Sequence, residues 1–228
     1  MIDVGGTGVK FRLSGADEIR RFRSGRGLIP DDLVERVKEL TTDWQYDLVS
    51  IGYPGAVTRG QTIGEPPNLG GGWVGYDFSA AFNRPVRIAN DAVLQALGAY
   101  RDGRMLFLGL GTGVGSALVS EHVLIPLELG SLPYRNGRVT DHLGRAALDA
   151  HGPVTWQKAV REITPFLRAA LAADYVVLGG GNGRKVHPLP PHTFRGGRHD
   201  AFDGGVRLWE EHIEPHDSEP RRVWRVVR

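Results

Sequence analysis

One aspartate and three glycine-rich segments are the residues of this chain whose types and spacing could carry chemistry. Asp91 follows a short apolar run and precedes a helical pattern, so its carboxylate is expected at the tip of a strand facing a cleft. A carboxylate held there is placed to act as the general base for a hydroxyl group. The glycine-rich segments lie at residues 5–8, 109–115 and 179–183. Because glycine lets backbone amides approach a phosphate closely, the combination predicts phosphoryl transfer.

The first two glycine-rich segments each lie between two β-like runs, which predicts hairpin turns. In the first turn the Thr7 hydroxyl can join the glycine amides in facing a phosphate, and Lys10 adds a positive charge. A plain β-turn is the alternative for this segment. The second turn departs from the dinucleotide-binding fingerprint because Val114 stands where the last glycine is required. Two such turns predict a clamp around a polyphosphate group, with Asp3 as the carboxylate that holds Mg²⁺ through water.

The elements that must position these segments alternate between strands and helices. The predicted strands lie at residues 1–4, 9–13, 18–23, 47–53, 86–89, 105–110, 115–120, 123–126 and 175–178. The predicted helices lie at residues 30–41, 76–82, 92–100, 140–150, 154–173 and 202–212. Residues 58–75 are rich in Gly, Pro and Asn and are too long for a plain connector, which predicts a functional loop. Residues 217–228 carry four arginines and are predicted to form a solvated tail.

The composition is that of a globular protein with an ample core. The 228 residues are 41% hydrophobic and 24% charged, and the formal net charge at pH 7 is +2. The chain contains no cysteine, which excludes disulfides, thiolate zinc sites and cysteine nucleophiles. No apolar run approaches the ~20 residues of a membrane span, and the arginines are scattered, so neither a membrane nor a nucleic-acid partner is expected. A cytoplasmic location is the default expectation.

Taken in their order and spacing, four motifs resemble those of the ROK family, in the sugar-kinase branch of the actin, hexokinase and Hsp70 superfamily. They are a first phosphate motif at residues 3–10, a catalytic loop at residues 89–92, a second phosphate motif at residues 109–116 and an adenosine-side turn at residues 179–181. Within the family the chain is most similar to bacterial polyphosphate or ATP glucokinases, from residue 3 to about residue 209.

The resemblance implies an α/β fold of the two-lobed, actin-like ATPase (ribonuclease H-like) type, with a cleft between the lobes. The N-terminal lobe is expected at residues 1–91 and the C-terminal lobe at residues 92–228. A closing helix near residues 202–212 is expected to pack back on the first lobe. Closure of the cleft would exclude water from the reaction. The chain is also expected to form a homodimer.

The resemblance further implies a role for each candidate site residue. Asp91 would deprotonate a hexose hydroxyl, and Asn68, Asn90, Glu128 and Ser131 would contact the sugar. The residues expected to bind the donor phosphates or a nucleotide are Gly5, Gly6, Thr7, Gly8, Lys10, Gly111, Thr112, Gly113, Gly179, Gly180 and Gly181. The expected reaction is phosphoryl transfer from ATP or polyphosphate to a hexose, with glucose giving glucose 6-phosphate. Mg²⁺ at Asp3 would assist it, and zinc is not expected.

Departures from the family pattern leave alternatives open. Ser131 stands where the family usually has a histidine that contacts sugar, and a hydroxyl cannot span the same gap without water. The zinc-binding cysteine cluster of many ROK proteins is absent, which is compatible with the polyphosphate glucokinase branch. Only two residues precede Asp3, whereas the first strand of the family begins several residues earlier, which favours a trimmed or misassigned start. The alternatives are a catalytically weak or silent sugar-binding or regulatory protein, and a kinase of another hexose or amino sugar.

Overall fold

The computed structural model describes residues 1–212 and 221–227, and strands and helices alternate through these ranges. The strands are β1 (Ile2–Val4), β2 (Val9–Arg12), β3 (Ile19–Phe22), β4 (Val49–Tyr53), β5 (Val57–Thr58), β6 (Gln61–Thr62), β7 (Val86–Asn90), β8 (Met105–Leu110), β9 (Val114–Ser120), β10 (Val123–Leu127), β11 (Pro133–Tyr134), β12 (Gly137–Arg138), β13 (Tyr175–Gly179), β14 (Thr193–Arg195), β15 (Glu211–His212), β16 (Arg221–Arg222) and β17 (Arg225–Val226). The helices are α1 (Pro30–Glu39), α2 (Phe78–Phe82), α3 (Asp91–Ala99), α4 (Val139–Leu143), α5 (Arg145–Ala170), α6 (Gly180–Gly183) and α7 (Asp200–Arg207), with a 3₁₀ turn at Leu129–Ser131. No helix within these ranges is long and apolar enough to cross a membrane.

The first sheet holds five strands in the order β3-β2-β1-β4-β7. β1, β2 and β3 form the antiparallel meander predicted from the sequence, while β1, β4 and β7 run parallel to one another. All of β4 is buried, as expected for a central strand. α1 covers this sheet with Leu33, Val34 and Val37, and it begins at Pro30, whose fixed φ suits a first helical position. The C-terminal ends of the three parallel strands therefore meet at one edge of the sheet.

The second sheet holds six strands in the order β14-β13-β8-β9-β10-β17. β8, β9 and β10 form an antiparallel meander like that of the first sheet, and β13 and β14 extend it by parallel pairing. β8 is apolar and almost wholly buried, and α5 covers the sheet through Trp156, Val160 and Ile163. The second sheet therefore begins with the same kind of meander as the first. The turn of each meander that lies between its first two strands is a glycine-rich segment.

α3 and α7 lie where the two sheets meet. α3 begins at Asp91, directly after β7 of the first sheet, and it packs against α7 along its length. The two helices cross with their backbones in contact. A Cβ atom on Gly98 would lie 1.9 Å from the carbonyl oxygen of Asp200, and one on Gly204 would lie 1.9 Å from that of Leu94. Only glycine fits at both positions, because any side chain would force the helices apart.

α7 also contacts the first sheet. The Ser50 hydroxyl of β4 donates to the Gly205 carbonyl at 2.5 Å, and Arg12 of β2 forms an ion pair with Asp203 at 2.9 Å. At its other end Arg207 donates to two carbonyls at the C-terminal end of α3, at 2.7 and 2.8 Å. These bonds satisfy carbonyls that have no partner within α3. α7 therefore fixes α3 relative to the first sheet.

The closing helix is shorter than the predicted range of residues 202–212, since α7 spans Asp200–Arg207. The chain turns after α7 because Trp209 is held by tertiary contacts. Its indole N–H donates to the Ser50 hydroxyl at 2.8 Å, and the Arg87 guanidinium lies 3.9 Å from the centre of its ring. Residues 211 and 212 then pair with β16 as a strand. Tertiary contacts and strand pairing override the helical pattern here.

The predicted solvated tail is wrong for the part of it that the structure describes, residues 221–227. β17 adds to the second sheet beside β10, and Trp224 is buried with its ring edge-on to Tyr100. The Trp224 indole N–H donates to Glu210 at 2.6 Å, so its polar atom has a partner. Four nearby arginines concealed one buried tryptophan in the sequence. The remaining tail residues, 217–220 and 228, lie outside the described ranges.

Two other sequence expectations need correction. The helices predicted at residues 140–150 and 154–173 are divided differently, into α4 and α5. The chain breaks at Gly144, where a Cβ atom would lie 2.7 Å from a carbonyl oxygen, and α5 bends at Gly152, whose φ is 76°. The predicted loop at residues 58–75 also contains part of a small hairpin, β5 with β6. Glycine geometry that depends on neighbouring chain segments is not visible in hydrophobic periodicity.

The α3–α7 crossing generates a test of the packing. We expect Gly98→Ala to lower the free energy of unfolding by about 2 kcal/mol or more, because the added methyl group overlaps the Asp200 carbonyl. Gly27→Ala is the matched control, since a Cβ atom there meets nothing within 4 Å. Urea denaturation of both variants measures the difference. Equal midpoints for the two variants would contradict the close crossing.

Candidate functional site

Asp91 lies at the junction of a strand and a helix, as the first residue of α3. Asn90 caps the helix, because its side-chain oxygen accepts the Ala92 N–H at 2.9 Å. A carboxylate oxygen of Asp91 accepts the same N–H at 2.8 Å. The Asn90 amide nitrogen donates to the Gly55 carbonyl at 3.1 Å, which ties the loop to the end of the neighbouring strand. The loop that carries Asp91 is therefore held by hydrogen bonds from Asn90 and Ala92.

Asp3 and Asp91 place two carboxylates at the edge where the parallel strands of the first sheet end. Asp3 lies in β1, opposite Gly52 on one side and Lys10 on the other. The pKa of the Asp91 carboxyl is raised to about 6, first because burial disfavours its charged form and then because the Asp3 charge lies nearby. Burial also raises the pKa of Asp3, and the Lys10 charge opposes that shift. Two mutually repelling carboxylates in one place are a pattern typical of functional sites.

The first glycine-rich segment is a hairpin turn between β1 and β2, as predicted. It closes with a hydrogen bond from the Gly5 N–H to the Gly8 carbonyl at 3.1 Å, and Thr7 is exposed at its tip. Asn68 lies against this turn, since a Cβ atom on Gly6 would be 3.0 Å from the Asn68 Cβ atom. Lys10 is exposed and belongs to the strand that follows. The structure thus brings Asn68 and the first turn together beside Asp3.

The second glycine-rich segment is the hairpin turn between β8 and β9, also as predicted. Its closing hydrogen bond runs from the Gly111 N–H to the Gly113 carbonyl at 3.0 Å. The backbone N–H of Arg145, at the start of α5, donates to the Gly111 carbonyl at 3.0 Å. Thr112 and Gly113 are exposed, and a Cβ atom on Gly113 would lie 3.5 Å from the Thr140 hydroxyl. The start of α5 therefore holds the turn on one side, and the tip of the turn is exposed to solvent.

The third glycine-rich segment differs from the predicted turn, because its residues begin a short helix. Gly179 ends β13, and Gly180 has a φ of 72° and leads directly into α6. Gly180 packs on the backbone of Leu110, since a Cβ atom on Gly180 would lie 2.6 Å from the Leu110 carbonyl oxygen. The Gly180 N–H donates to the Gln95 side chain of α3 at 3.2 Å. This positive φ requires glycine, and it sets Gly180 and Gly181 beside the second turn.

The remaining sugar-side candidates, Glu128 and Ser131, are exposed at the 3₁₀ turn after β10. Two contacts through β9 link this 3₁₀ turn to α3. A Cβ atom on Gly130 would lie 2.9 Å from the Val114 carbonyl oxygen, and one on Gly115 would lie 2.7 Å from the Ala92 side chain. Ala92 is the residue after Asp91. Glu128 and Ser131 therefore approach from the second sheet, whereas Asn68 and Asn90 belong to the first.

Glu65 is a residue that sequence reasoning missed. Its carboxylate accepts three successive backbone N–H groups, from Gly72 and Val74 at 3.2 Å and from Trp73 at 3.1 Å. These bonds close the loop that carries Asn68 into a compact turn. Trp73 anchors the same loop, because it is fully buried between aromatic rings and does not offer a sugar platform. The sequence signal that could have revealed this contact is an acid a few residues before a glycine run.

A cavity of about 300 Å³ lies away from this site, at the opposite edge of the first sheet. Its lining includes Trp44, Ser50, Phe202 and Trp209, which surround the beginning of β4 rather than its end. Asp91 and the glycine turns take no part in it. Within residues 1–212 and 221–227, no group of three or more His, Cys, Asp or Glu side chains is placed to share a metal ion.

The chain matches the ROK family over residues 1–127, which is more than half of its length. Two curated relatives are mycobacterial polyphosphate glucokinases. The one from Mycobacterium leprae (strain TN) is 26% identical over 207 residues, which are 81% of this chain and 64% of the relative. The one from Mycobacterium tuberculosis (strain CDC 1551 / Oshkosh) is 26% identical over 214 residues, 83% of this chain and 80% of the relative. The chain thus spans less than two thirds of the first relative.

Solved structures share the fold. The inorganic polyphosphate/ATP-glucomannokinase from Arthrobacter sp. strain KM superposes with a TM-score of 0.75 at 22% identity, over 90% of this chain and 95% of that one. At this level of identity the likeness shows the fold alone. The two-lobed, actin-like ATPase fold predicted from the motifs is confirmed.

The raised pKa of Asp91 generates a test that needs no substrate. Because the folded-state pKa, about 6, lies above the ordinary value of 3.8, the folded protein binds this proton more tightly than the unfolded chain. Stability from this group is present below the ordinary pKa and is lost as pH rises through the folded value. We therefore expect Asp91→Asn to be more stable than the wild type by about 1 to 3 kcal/mol near pH ~7.5, with the difference vanishing near pH ~4.

The measurement is the free energy of unfolding in urea at both pH values. Asp17→Asn, which changes an exposed carboxyl in a turn outside the site, is the control for charge removal. A stability difference for Asp91→Asn that is the same at both pH values would show that burial does not raise this pKa.

Proposed function

The chain belongs to the ROK family, and from that premise we propose that it is a sugar kinase that transfers a phosphoryl group to a hydroxyl of a hexose. The observation that carries the proposal is Asp91, a carboxylate at the end of a strand with a pKa raised to about 6, next to a second carboxylate and the first glycine turn. Such a group is mainly deprotonated at neutral pH and still basic enough to accept a proton. The names of the two mycobacterial relatives support glucose as the acceptor and polyphosphate as a donor.

Acceptor activation would depend on Asp91 and the loops around it. The Asp91 carboxylate would accept the proton of the attacking hydroxyl as the oxygen forms its bond to phosphorus. Asn90 uses one N–H and one lone pair of its amide within the protein, so its other N–H remains for a sugar hydroxyl. Asn68 from the first sheet and Glu128 and Ser131 from the second would orient the sugar ring. Alignment supplies much of the rate in such a reaction.

Donor binding would use the two hairpin turns. Residues 5–8 and 111–113 would present backbone amides at their tips and the exposed hydroxyls of Thr7 and Thr112 from separate sheets, and α6 would receive an adenosine group if ATP is the donor. The residues fit Mg²⁺, because Asp3 is a carboxylate beside these turns and Mg²⁺ binds proteins through one or two carboxylates together with substrate phosphates. When bound, the ion would supply charge neutralisation. Lys10 would contribute a fixed positive charge on the same face.

The catalytic assignment is tested by Asp91→Asn. We expect its kcat to fall by about 10²- to 10⁴-fold, the contribution typical of a positioned base, while calorimetry shows sugar binding largely retained. For the wild type, kcat/KM should fall tenfold per pH unit below about pH 6, as the Asp91 carboxyl becomes protonated.

A coupled kinase assay with a panel of hexoses and amino sugars, each with ATP and with polyphosphate, measures both effects. Wild-type turnover by Asp91→Asn would refute the assignment. Sugar binding by the wild type without turnover of any donor would favour the silent sugar-binding alternative.

The Glu65 contact generates a second kinetic test. Glu65→Gln removes the charge that three amides share, so the loop that presents Asn68 should loosen. We expect the KM for the sugar to rise by roughly 3- to 30-fold with kcat and the donor KM little changed. Glu35→Gln, at an exposed position of α1, is the matched control. An equal change in the KM values for sugar and donor would indicate general loosening rather than loss of sugar positioning.

A further inference from the structure

Four positively charged side chains flank the first glycine turn on the outer strands of the first sheet. They are Lys10, Arg21, Arg23 and Arg26, and all four are exposed. We call them the cationic strip. Within the described ranges no ion pair involves any member of the strip. An exposed group of like charges that forms no ion pairs destabilises the free protein slightly and suits a polyanionic ligand.

Strand register places the strip on one face of the sheet. Asp3 of β1 is opposite Lys10 of β2, and Lys10 is opposite Arg21 of β3, so the three side chains form a row. Arg23 follows the last residue of β3, two residues beyond Arg21. The row leads from the buried carboxylate at the centre of the sheet outward to its edge strand.

The strip also reaches the tip of the first turn. The Ser24 N–H donates to the Thr7 carbonyl at 3.4 Å, and the Ser24 hydroxyl donates to the Gly5 carbonyl at 2.5 Å. Arg23 and Arg26 flank Ser24 in the sequence, so their backbone runs beside the turn. An anionic chain bound at the turn would continue directly onto these side chains.

The two arginines of β3, Arg20 and Arg21, differ in whether acidic side chains neutralise them. Arg20 is on the opposite face of β3 from Arg21, where Asp43 and Glu18 hold its guanidinium at 2.5 and 3.0 Å and the Trp44 ring lies beneath it. Its charge is thus matched within the protein. The charge of Arg21, one residue later, is not paired with an acid. In the part of the chain that the structure describes, acids therefore neutralise the arginine on one face of β3 and form no ion pair with the arginine on the other.

We propose that the cationic strip is a distal subsite for linear inorganic polyphosphate, extending from the first glycine turn along β2 and β3. The proposal rests on the proposed function, since it assumes that the terminal phosphoryl group lies near Asp91. A linear chain of phosphates carries negative charge along its whole length, so a phosphate can lie near each positive side chain of the strip. A nucleotide does not use it, because α6, the adenosine-side segment, packs beside Leu110 in the second sheet whereas β3 is the far edge of the first.

The test compares donors in a double variant, Arg21→Ala with Arg23→Ala. For long-chain polyphosphate we expect KM to rise by roughly 3- to 10-fold at low salt, with kcat unchanged and the KM for ATP within about twofold of the wild type. The effect should shrink for tripolyphosphate, which is too short to cover the strip, and at high salt, which screens exposed charges. Arg20→Ala is the matched control, because it removes one arginine from the other face of the same strand.

Direct binding separates this proposal from the proposed function. Fluorescence anisotropy of labelled long-chain polyphosphate measures binding to the wild type and the variants without turnover. Weaker binding in the double variant but not in Arg20→Ala supports the strip even if no donor is turned over, in which case the kinase proposal alone fails. Turnover of ATP without binding of long-chain polyphosphate overturns the strip and leaves the kinase proposal standing. Equal losses in the double variant and in Arg20→Ala also overturn it.

Discussion

Two partly buried carboxylates, Asp3 and Asp91, lie at one edge of the first sheet, and the first glycine turn and the loop at Asn90 flank them. Burial and the neighbouring charge together raise the pKa of Asp91 to about 6, because both raise the free energy of its ionised form. The folded protein therefore carries a local electrostatic cost at this position. That cost is what makes Asp91 a better proton acceptor than an exposed aspartate, and what a cation or the positive end of a donor complex would relieve.

Close packing elsewhere keeps the pair in place. Asp91 begins α3, and α3 crosses α7 at the glycines Gly98 and Gly204 with the two backbones in contact. α7 is bonded in turn to β2 and β4 of the first sheet, so the strand that carries Asp3 and the helix that carries Asp91 are fixed through a common neighbour. The second turn and the 3₁₀ turn approach the same point through β9 and Ala92.

The sequence carried the local part of this arrangement and not the part that depends on contacts between distant segments. Alternating β-like runs and glycine turns predicted both meanders and both hairpins, because those elements are set by neighbouring residues. The short α6 and the early end of α7 were not predictable in this way, since Gly180 is shaped by Leu110 and Trp209 by Ser50. Glu65 escaped notice because its three partners are backbone amides, so only its position before a glycine run could have indicated its role. The burial of Trp224 was also not predicted, because the segment around it is rich in arginine.

The most direct test of the account is a titration of the Asp91 carboxyl carbon by NMR in the protein without substrate. The account predicts a midpoint near pH 6 in the wild type. It also predicts a lower midpoint in Asp3→Asn, because removing the neighbouring negative charge favours ionisation. A wild-type midpoint near the ordinary value of 3.8, or a midpoint that does not move in Asp3→Asn, would contradict the central claim that the two carboxylates are electrostatically coupled in one buried site.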